Sequence, residues 1–186
     1  MLDPLPQLTI AWALAALLGA AALHKLLSWR EWPGVVRNYA LVPDSVAGVA
    51  AGLLPCAEAL AAGALLWPPA RPAGAALAAA LLATYAAALQ INLWRGRTMI
   101  DCGCFGARLR QGIAPWMVWR NVLLALLAAL LWLPAGGRAL TAADLAAAAA
   151  TVATLACLYP VLAMVARPAP PTFEQNFHVS RARPRR

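Results

Sequence analysis

The stretch AGAALAAALLATYAAALQINLW, residues 73–94, contains no charged side chain, and its polar residues Gln90 and Asn92 lie near its end. A membrane-spanning helix needs roughly 20 mostly apolar residues, which rise about 1.5 Å each. Alanine and leucine dominate this stretch, and both favour helix over strand. The segment therefore predicts a transmembrane helix.

Four further apolar runs have the same character and cover residues 4–25, 46–67, 116–133 and 145–166. The whole chain is 63% hydrophobic and only 12% charged, whereas soluble domains carry about a quarter charged residues. We therefore expect an all-α integral membrane protein, a bundle of about five transmembrane helices within residues 1–166. Residues 167–186, rich in proline and arginine, cannot bury a core and are expected to form a disordered basic tail.

The net charge of +8 arises from basic residues between the apolar runs and in the tail. Thirteen of the 15 fall on one side of the predicted membrane, and only Arg71 and Arg138 fall on the other. The positive-inside rule then places the N-terminus outside and the tail in the cytoplasm of a bacterial inner membrane, with the loop 95–115 also on the cytoplasmic side. Basic and aromatic residues do not interleave on one surface, so nucleic acid is not an expected partner.

The sequence Asp101-Cys102-Gly103-Cys104-Phe105-Gly106 is the sharpest local motif. Two thiols around one glycine can close a small, strained disulfide ring, and strained disulfides exchange readily. Nearby arginines favour the reactive thiolate, while Asp101 opposes it. The pattern favours an exchangeable redox pair. The alternatives are a static loop staple and a metal half-site with only two ligands, so no metal centre is predicted.

Glu58 lies near the middle of the second apolar run, where an unpaired ionised carboxylate costs several kcal/mol. It is therefore expected to be neutral or paired. Its functional interpretation is a proton acceptor or a hydrogen-bonding partner for a quinone or a helix, although the sequence shows no recognisable quinone site. The structural alternative is an interhelical hydrogen bond to Gln90 or Asn92. Lys25 ends the first run, where it can extend to the lipid headgroups.

Cys56 and Cys157 lie inside apolar runs. Free cysteine commonly packs as a small apolar residue. The alternative is a second thiol pair that receives reducing equivalents from the loop pair.

Several of these features resemble the MauE family of methylamine-utilisation membrane proteins, which are related to the DoxX-like proteins. They are Lys25, the stretch NYALVP at 38–43, LPCAEAL with Glu58, Arg95-Gly96 leading to DCGCFG, and Arg120-Asn121. The resemblance covers about Leu14 to Leu131. It implies a DoxX-like helical bundle.

The resemblance also implies an accessory redox factor rather than a metabolic enzyme. MauE proteins are associated with maturation or export of the methylamine dehydrogenase small subunit, a disulfide-rich periplasmic client, beside a thioredoxin-like MauD partner. Carried over, Cys102 and Cys104 become the candidate redox pair, and Glu58, Lys25 and Arg120 are pattern residues without an assigned role. Cys56 and Cys157 do not belong to the pattern.

Two functional hypotheses follow from the sequence. The first is a membrane thiol–disulfide redox factor, and the second is a non-redox scaffold or transport component in which the two loop cysteines form a staple. The charge pattern places the thiols in the cytoplasm although the implied client is periplasmic. Either redox equivalents cross the bilayer, or the charge rule fails for this loop.

Overall fold

The computed structural model describes residues 3–100, 112–134 and 136–165. All regular elements within these ranges are helices, which confirms the predicted all-α class. They are α1 (Pro4–Leu27), α2 (Trp32–Tyr39), α3 (Asp44–Leu66), α4 (Arg71–Trp94), α5 (Pro115–Leu130) and α6 (Ala142–Val165), with a 3₁₀ turn at Pro68–Ala70. Cys102, Cys104 and the tail 167–186 lie outside the described residues.

Four of the helices, α1, α3, α4 and α6, are long and apolar enough to cross a membrane, whereas α5 has only 16 residues. At 1.5 Å per residue, α5 is about 24 Å long. Its chain continues from Leu131 to Leu133 in a tighter turn, in which each amide donates to the carbonyl three residues earlier. At about 2 Å per residue, this turn adds about 6 Å. The segment 115–133 thus approaches the roughly 30 Å thickness of the hydrocarbon core.

The helices α1, α3, α4 and α5 form the core bundle, and α6 packs on the outside of α1. Their shared core is built from alanine and leucine, and Ala11, Ala61, Ala75 and Ala78 are completely buried. Small residues allow helix backbones to approach closely, which is a common way to pack helices in lipid. One close approach of α3 and α4 lies at Gly74, where an added Cβ would lie 2.8 Å from the amide nitrogen of Leu65.

The short helix α2 was not predicted, because its eight residues were treated as part of a loop. It packs on the first half of α3 through Trp32, which is buried. Pro55 lies inside α3, so the carbonyl of Ala51 lacks the amide donor that an α-helix normally supplies from four residues ahead. The Trp32 indole N–H donates to this carbonyl at 2.8 Å. Pro55 of α3 thus leaves a carbonyl group available, and Trp32 of α2 binds to it.

The bundle has two ends, named here the loop end and the Arg138 end. The loop end carries the last turns of α1 and α4, together with the starts of α3 and α5. The Arg138 end carries the start of α1, the α3–α4 turn and the start of α6. At the loop end, the Ile113 amide donates to the Thr98 carbonyl at 3.0 Å, so the described residues on the two sides of the segment 101–111 are joined.

Candidate functional site

A buried ion pair joins α1 to α3. The Lys25 ammonium nitrogen lies 2.5 Å from Oε1 of Glu58, and the two side chains are 7% and 0% exposed. Lys25 therefore does not extend to the headgroups as its place near the end of α1 had suggested. The expectation that Glu58 is neutral or paired agrees with this geometry, but its partner is Lys25 rather than Gln90 or Asn92.

Tyr85 of α4 completes the contact between three helices. Its hydroxyl donates to the same Oε1 of Glu58 at 2.7 Å. Oε1 thus accepts two hydrogen bonds, while the buried Oε2 has no hydrogen-bond partner among the described residues. The two oxygens of one carboxylate therefore have very different surroundings.

Aromatic rings surround the Lys25 ammonium. Its nitrogen lies 5.0 Å from the centroid of the Trp32 ring and 5.5 Å from that of the Tyr85 ring. Both distances are within the range of cation–π attraction, which strengthens when the cation is removed from water. Because Trp32 is fixed by its bond to Ala51, the helix α2 contributes directly to this site. Lys25, Glu58, Tyr85 and Trp32 are called the buried cluster below.

Glu58 and Tyr85 of the buried cluster lie in the interior of their helices, whereas Lys25 lies in the last turn of α1. Glu58 is eight residues before the end of α3, which is about 12 Å along the helix axis, and about 21 Å from Asp44 at its start. Tyr85 occupies a comparable position in α4. The arrangement places one ammonium and one carboxylate in contact, away from bulk water. Because an isolated charge is strongly disfavoured in lipid, each partner of the pair compensates the charge of the other.

Arg120 takes part in a second, smaller cluster between α5 and α6. Its Nη1 donates to the hydroxyl of Tyr159. The guanidinium also lies 5.4 Å from the Trp116 ring centroid and 5.7 Å from that of Tyr159. Arg120 therefore attaches the peripheral α6 to the core bundle.

Two arginines organise the loop end. Arg95 donates to the carbonyl of Ala40 at 3.0 Å, and Arg97 donates to the carbonyl of Tyr39 at 3.3 Å. Ala40 has a left-handed backbone conformation, with φ of 47°, where α2 ends. The arginines that precede the cysteine motif thus hold the stretch 38–43, so two parts of the predicted family pattern meet in space. The side chain of Asn92 is used locally, donating to Ala88 and accepting from Arg97.

The cysteines are not brought together by the described structure. Cys56 on α3 and Cys157 on α6 are free and exposed, and neither packs in the interior as expected for a small apolar residue. Cys102 and Cys104 are outside the described residues. Sequence reasoning also missed Trp32 and Tyr85. The available signal for Tyr85 was a single hydroxyl-bearing aromatic residue in the middle of an otherwise uncharged span.

Comparison with known proteins assigns the family. Residues 4–134 match the model of the family described as methylamine utilisation protein MauE. The chain belongs to the MauE family. The matched part contains the whole buried cluster and Arg120, and it ends before α6 begins.

Curated relatives agree with this assignment. The methylamine utilization protein MauE of Paracoccus denitrificans is 49% identical over 133 residues, which cover 69% of this chain and 71% of the relative. The MauE protein of Paracoccus versutus is 42% identical over 126 residues, or 68% of each chain. That of Methylorubrum extorquens is 39% identical over 144 residues, 75% of this chain and 77% of the relative. No solved structure matches this MauE-family chain. Apolar helices and family membership together identify a multi-pass membrane protein.

Proposed function

We propose that this chain is a methylamine-utilisation accessory protein of the bacterial inner membrane, and that it exchanges thiols and disulfides through Cys102 and Cys104. The observation that carries the proposal is the MauE match over residues 4–134, which includes the only two cysteines separated by one residue. The proposed partner is a thioredoxin-like protein of the MauD type. The proposed client is a disulfide-rich periplasmic protein such as the methylamine dehydrogenase small subunit.

The proposed exchange balances without a further reagent. A thiolate of the thioredoxin-like partner attacks the Cys102–Cys104 disulfide, which breaks as a mixed disulfide forms. The second partner thiolate then displaces the remaining loop cysteine. The partner becomes a disulfide, the loop pair becomes two thiols, and two electrons and two protons have been transferred. The reverse sequence oxidises the loop pair, and the proposal assigns no net direction.

The described residues on the two sides of the cysteine motif are packed against the bundle and against each other, which supports the proposal. Thr98 and Ile113 are hydrogen bonded across the ends of the segment, and an added Cβ at Gly112 would lie 2.7 Å from the Thr98 carbonyl oxygen. Ile113 and Met117 are buried against Leu89 of α4. The chain therefore enters and leaves the cysteine segment at one packed point of the bundle.

The decisive experiment replaces each loop cysteine by serine in a methylamine-grown host. A hydroxyl cannot replace a thiolate as nucleophile, so Cys102→Ser and Cys104→Ser should leave client disulfides missing or scrambled. Membrane abundance should not change, because a staple across so short a loop would stabilise the chain little. A single-cysteine variant should also trap a mixed disulfide with the partner, visible on a non-reducing gel.

The matched controls are Cys56→Ser and Cys157→Ser, which remove free thiols from the outer faces of α3 and α6. Both should support normal client maturation. Full maturation in both loop variants would instead favour the non-redox scaffold, in which the loop pair is a staple.

The orientation proposed from charge has the N-terminus outside and the tail and cysteine loop in the cytoplasm. The order of the helices is compatible with this orientation. The loop end carries Arg95 and Arg97, whereas the opposite end carries Arg138. Reporter fusions at Arg108 and in the tail should report the cytoplasm, and a fusion at Arg138 should report the periplasm. A periplasmic report at Arg108 would place the thiols directly beside the client.

A further inference from the structure

The two carboxylate oxygens of Glu58 differ in their hydrogen bonds. Oε1 receives hydrogen bonds from Lys25 and Tyr85, at 2.5 Å and 2.7 Å. Oε2 is buried and receives none from the described residues. A buried acceptor without a donor carries a desolvation penalty. Oε2 is therefore the oxygen of Glu58 at which a bound proton would be stabilised more. An additional proton would therefore add to Oε2 without displacing either existing bond.

The surroundings of Lys25 suit the state that such a proton would create. Protonated Glu58 no longer offsets the charge on the ammonium, and an uncompensated charge in lipid is costly. The rings of Trp32 and Tyr85 attract the ammonium through their π-electron faces whether or not Glu58 is ionised. The ring contacts therefore stabilise the ammonium in both protonation states of Glu58.

We propose that the buried cluster is a proton-exchange site inside the membrane, with Glu58 Oε2 as the accepting atom. In the forward step a hydronium ion gives a proton to Oε2: one O–H bond of the hydronium breaks, a water molecule is left, and the O–H bond of the carboxyl group forms. Lys25 keeps its proton, and the net charge of the cluster changes from zero to +1. In the reverse step the proton leaves and the ion pair is restored.

The two partners of the ion pair differ in their exposure. Lys25 is 6% exposed and lies in the last turn of α1, whereas Glu58 is fully buried. Of the two ion-pair partners, Lys25 is therefore the less buried, and it belongs to the turn of α1 at the loop end. Tyr85 is also only partly buried. The titratable groups that face Glu58 among the described residues are Lys25 from α1 and Tyr85 from α4, and α2 contributes only the non-titratable Trp32. The site goes beyond the proposed thiol function and does not depend on it.

The test is infrared difference spectroscopy of the full-length protein in phosphatidylcholine nanodiscs as the pH is lowered. A buried protonated carboxyl gives a C=O stretching band that shifts when H2O is replaced by D2O. The wild-type protein should gain one such band, and Glu58→Gln should lose it completely. The matched control is Glu31→Gln, which removes an exposed carboxylate just before α2 and should retain the band.

Tyr85→Phe gives a second, independent readout because it keeps the ring but removes a donor to Oε1. When Oε2 carries the proton, Oε1 is the carbonyl oxygen, so loss of the Tyr85 donor should move the C=O band to a higher frequency. A double Cys102→Ser/Cys104→Ser variant should keep the wild-type band, which separates this proposal from the thiol exchange. The proposal is overturned if the wild-type protein shows no titrating band. It is likewise overturned if the band survives in Glu58→Gln or, should that variant not insert, is unaffected by Tyr85→Phe.

Discussion

Two groups of ion pairs among the described residues make the same kind of ionic contact in opposite surroundings. In the buried cluster, one lysine meets one carboxylate, with side chains 7% and 0% exposed. At the Arg138 end, Arg138 contacts Asp3 at 3.1 Å and Asp144 at 2.7 Å, and its own side chain is 44% exposed. One contact has removed its charges from water, while the other has left them at the surface.

The contrast shows that distance alone does not tell what an ion pair contributes. Exposed pairs are screened by water and salt, and they contribute little to stability. A buried pair contributes mainly through the penalty that follows when one partner is removed. Arg138 therefore fastens the start of α6 to the start of α1, whereas Lys25 and Glu58 make the folding of α1 and α3 mutually dependent.

The largest expected effect comes from breaking the buried pair. Glu58→Leu leaves the Lys25 ammonium without its carboxylate and should reduce the free energy of unfolding by about 3–5 kcal/mol. The double variant Lys25→Met/Glu58→Leu should recover most of this loss, because no charge remains buried. Thermal unfolding in detergent measures both. Arg138→Gln is the exposed control, and an equal loss in Arg138→Gln and Glu58→Leu would contradict the contrast.

A smaller effect is expected where α2 docks on α3. Trp32→Phe removes the indole donor and leaves the buried Ala51 carbonyl without a hydrogen bond, at a cost of about 1–3 kcal/mol. Adding Pro55→Ala returns the amide that α3 lacks at this carbonyl, so the double variant should regain stability. The control is Trp29→Phe, since Trp29 is 50% exposed. Failure of Pro55→Ala to compensate in a thermal unfolding assay would show that ring packing alone explains the Trp32 effect.

The smallest effect concerns pH at the exposed cluster. The hydrogen bond from Arg138, followed by that from the Leu5 amide, lowers the pKa of Asp3 below its ordinary value. The resulting stabilisation is present above the ordinary aspartate pKa and is lost as the pH falls through the lowered value. Hydrogen exchange of the Leu5 amide, expressed relative to an unstructured amide at the same pH, should accelerate upon this acidification without a change in global unfolding. In Arg138→Gln the acceleration should begin at a higher pH, and an unchanged onset would contradict the role of Arg138.

The spanning helices could be predicted because bilayer thickness fixes both the length and the polarity of a spanning segment. No comparable constraint acts on α2, whose eight residues are too few for a stable isolated helix and which packs on α3 through Trp32. The sequence-based prediction also made the α-helix of the fourth span too long, because the chain forms a tighter turn after Leu130.

The site was only partly predictable. Glu58 could be identified because an intramembrane carboxylate is costly, and its burial agrees with that argument. Its partner was missed because Lys25 lies 33 residues away and close to the end of its own helix, where lysine usually reaches water. The relative depth of two packed helices is a tertiary property, and the spacing of residues along one chain does not contain it.

The close contact of Gly74 with Leu65 has a consequence for the biogenesis of the protein. The helices α3 and α4 touch beside their connecting turn, so the two can enter the bilayer together as a helical hairpin. Tyr85 can then donate to Glu58 within the hairpin, and the carboxyl group need not meet the acyl chains without a partner. Lys25, already present near the end of α1, can remain near the membrane surface until the hairpin arrives beside it. The close packing at Gly74 would thus allow the Glu58 carboxyl group to be inserted together with Tyr85 as its hydrogen-bond donor.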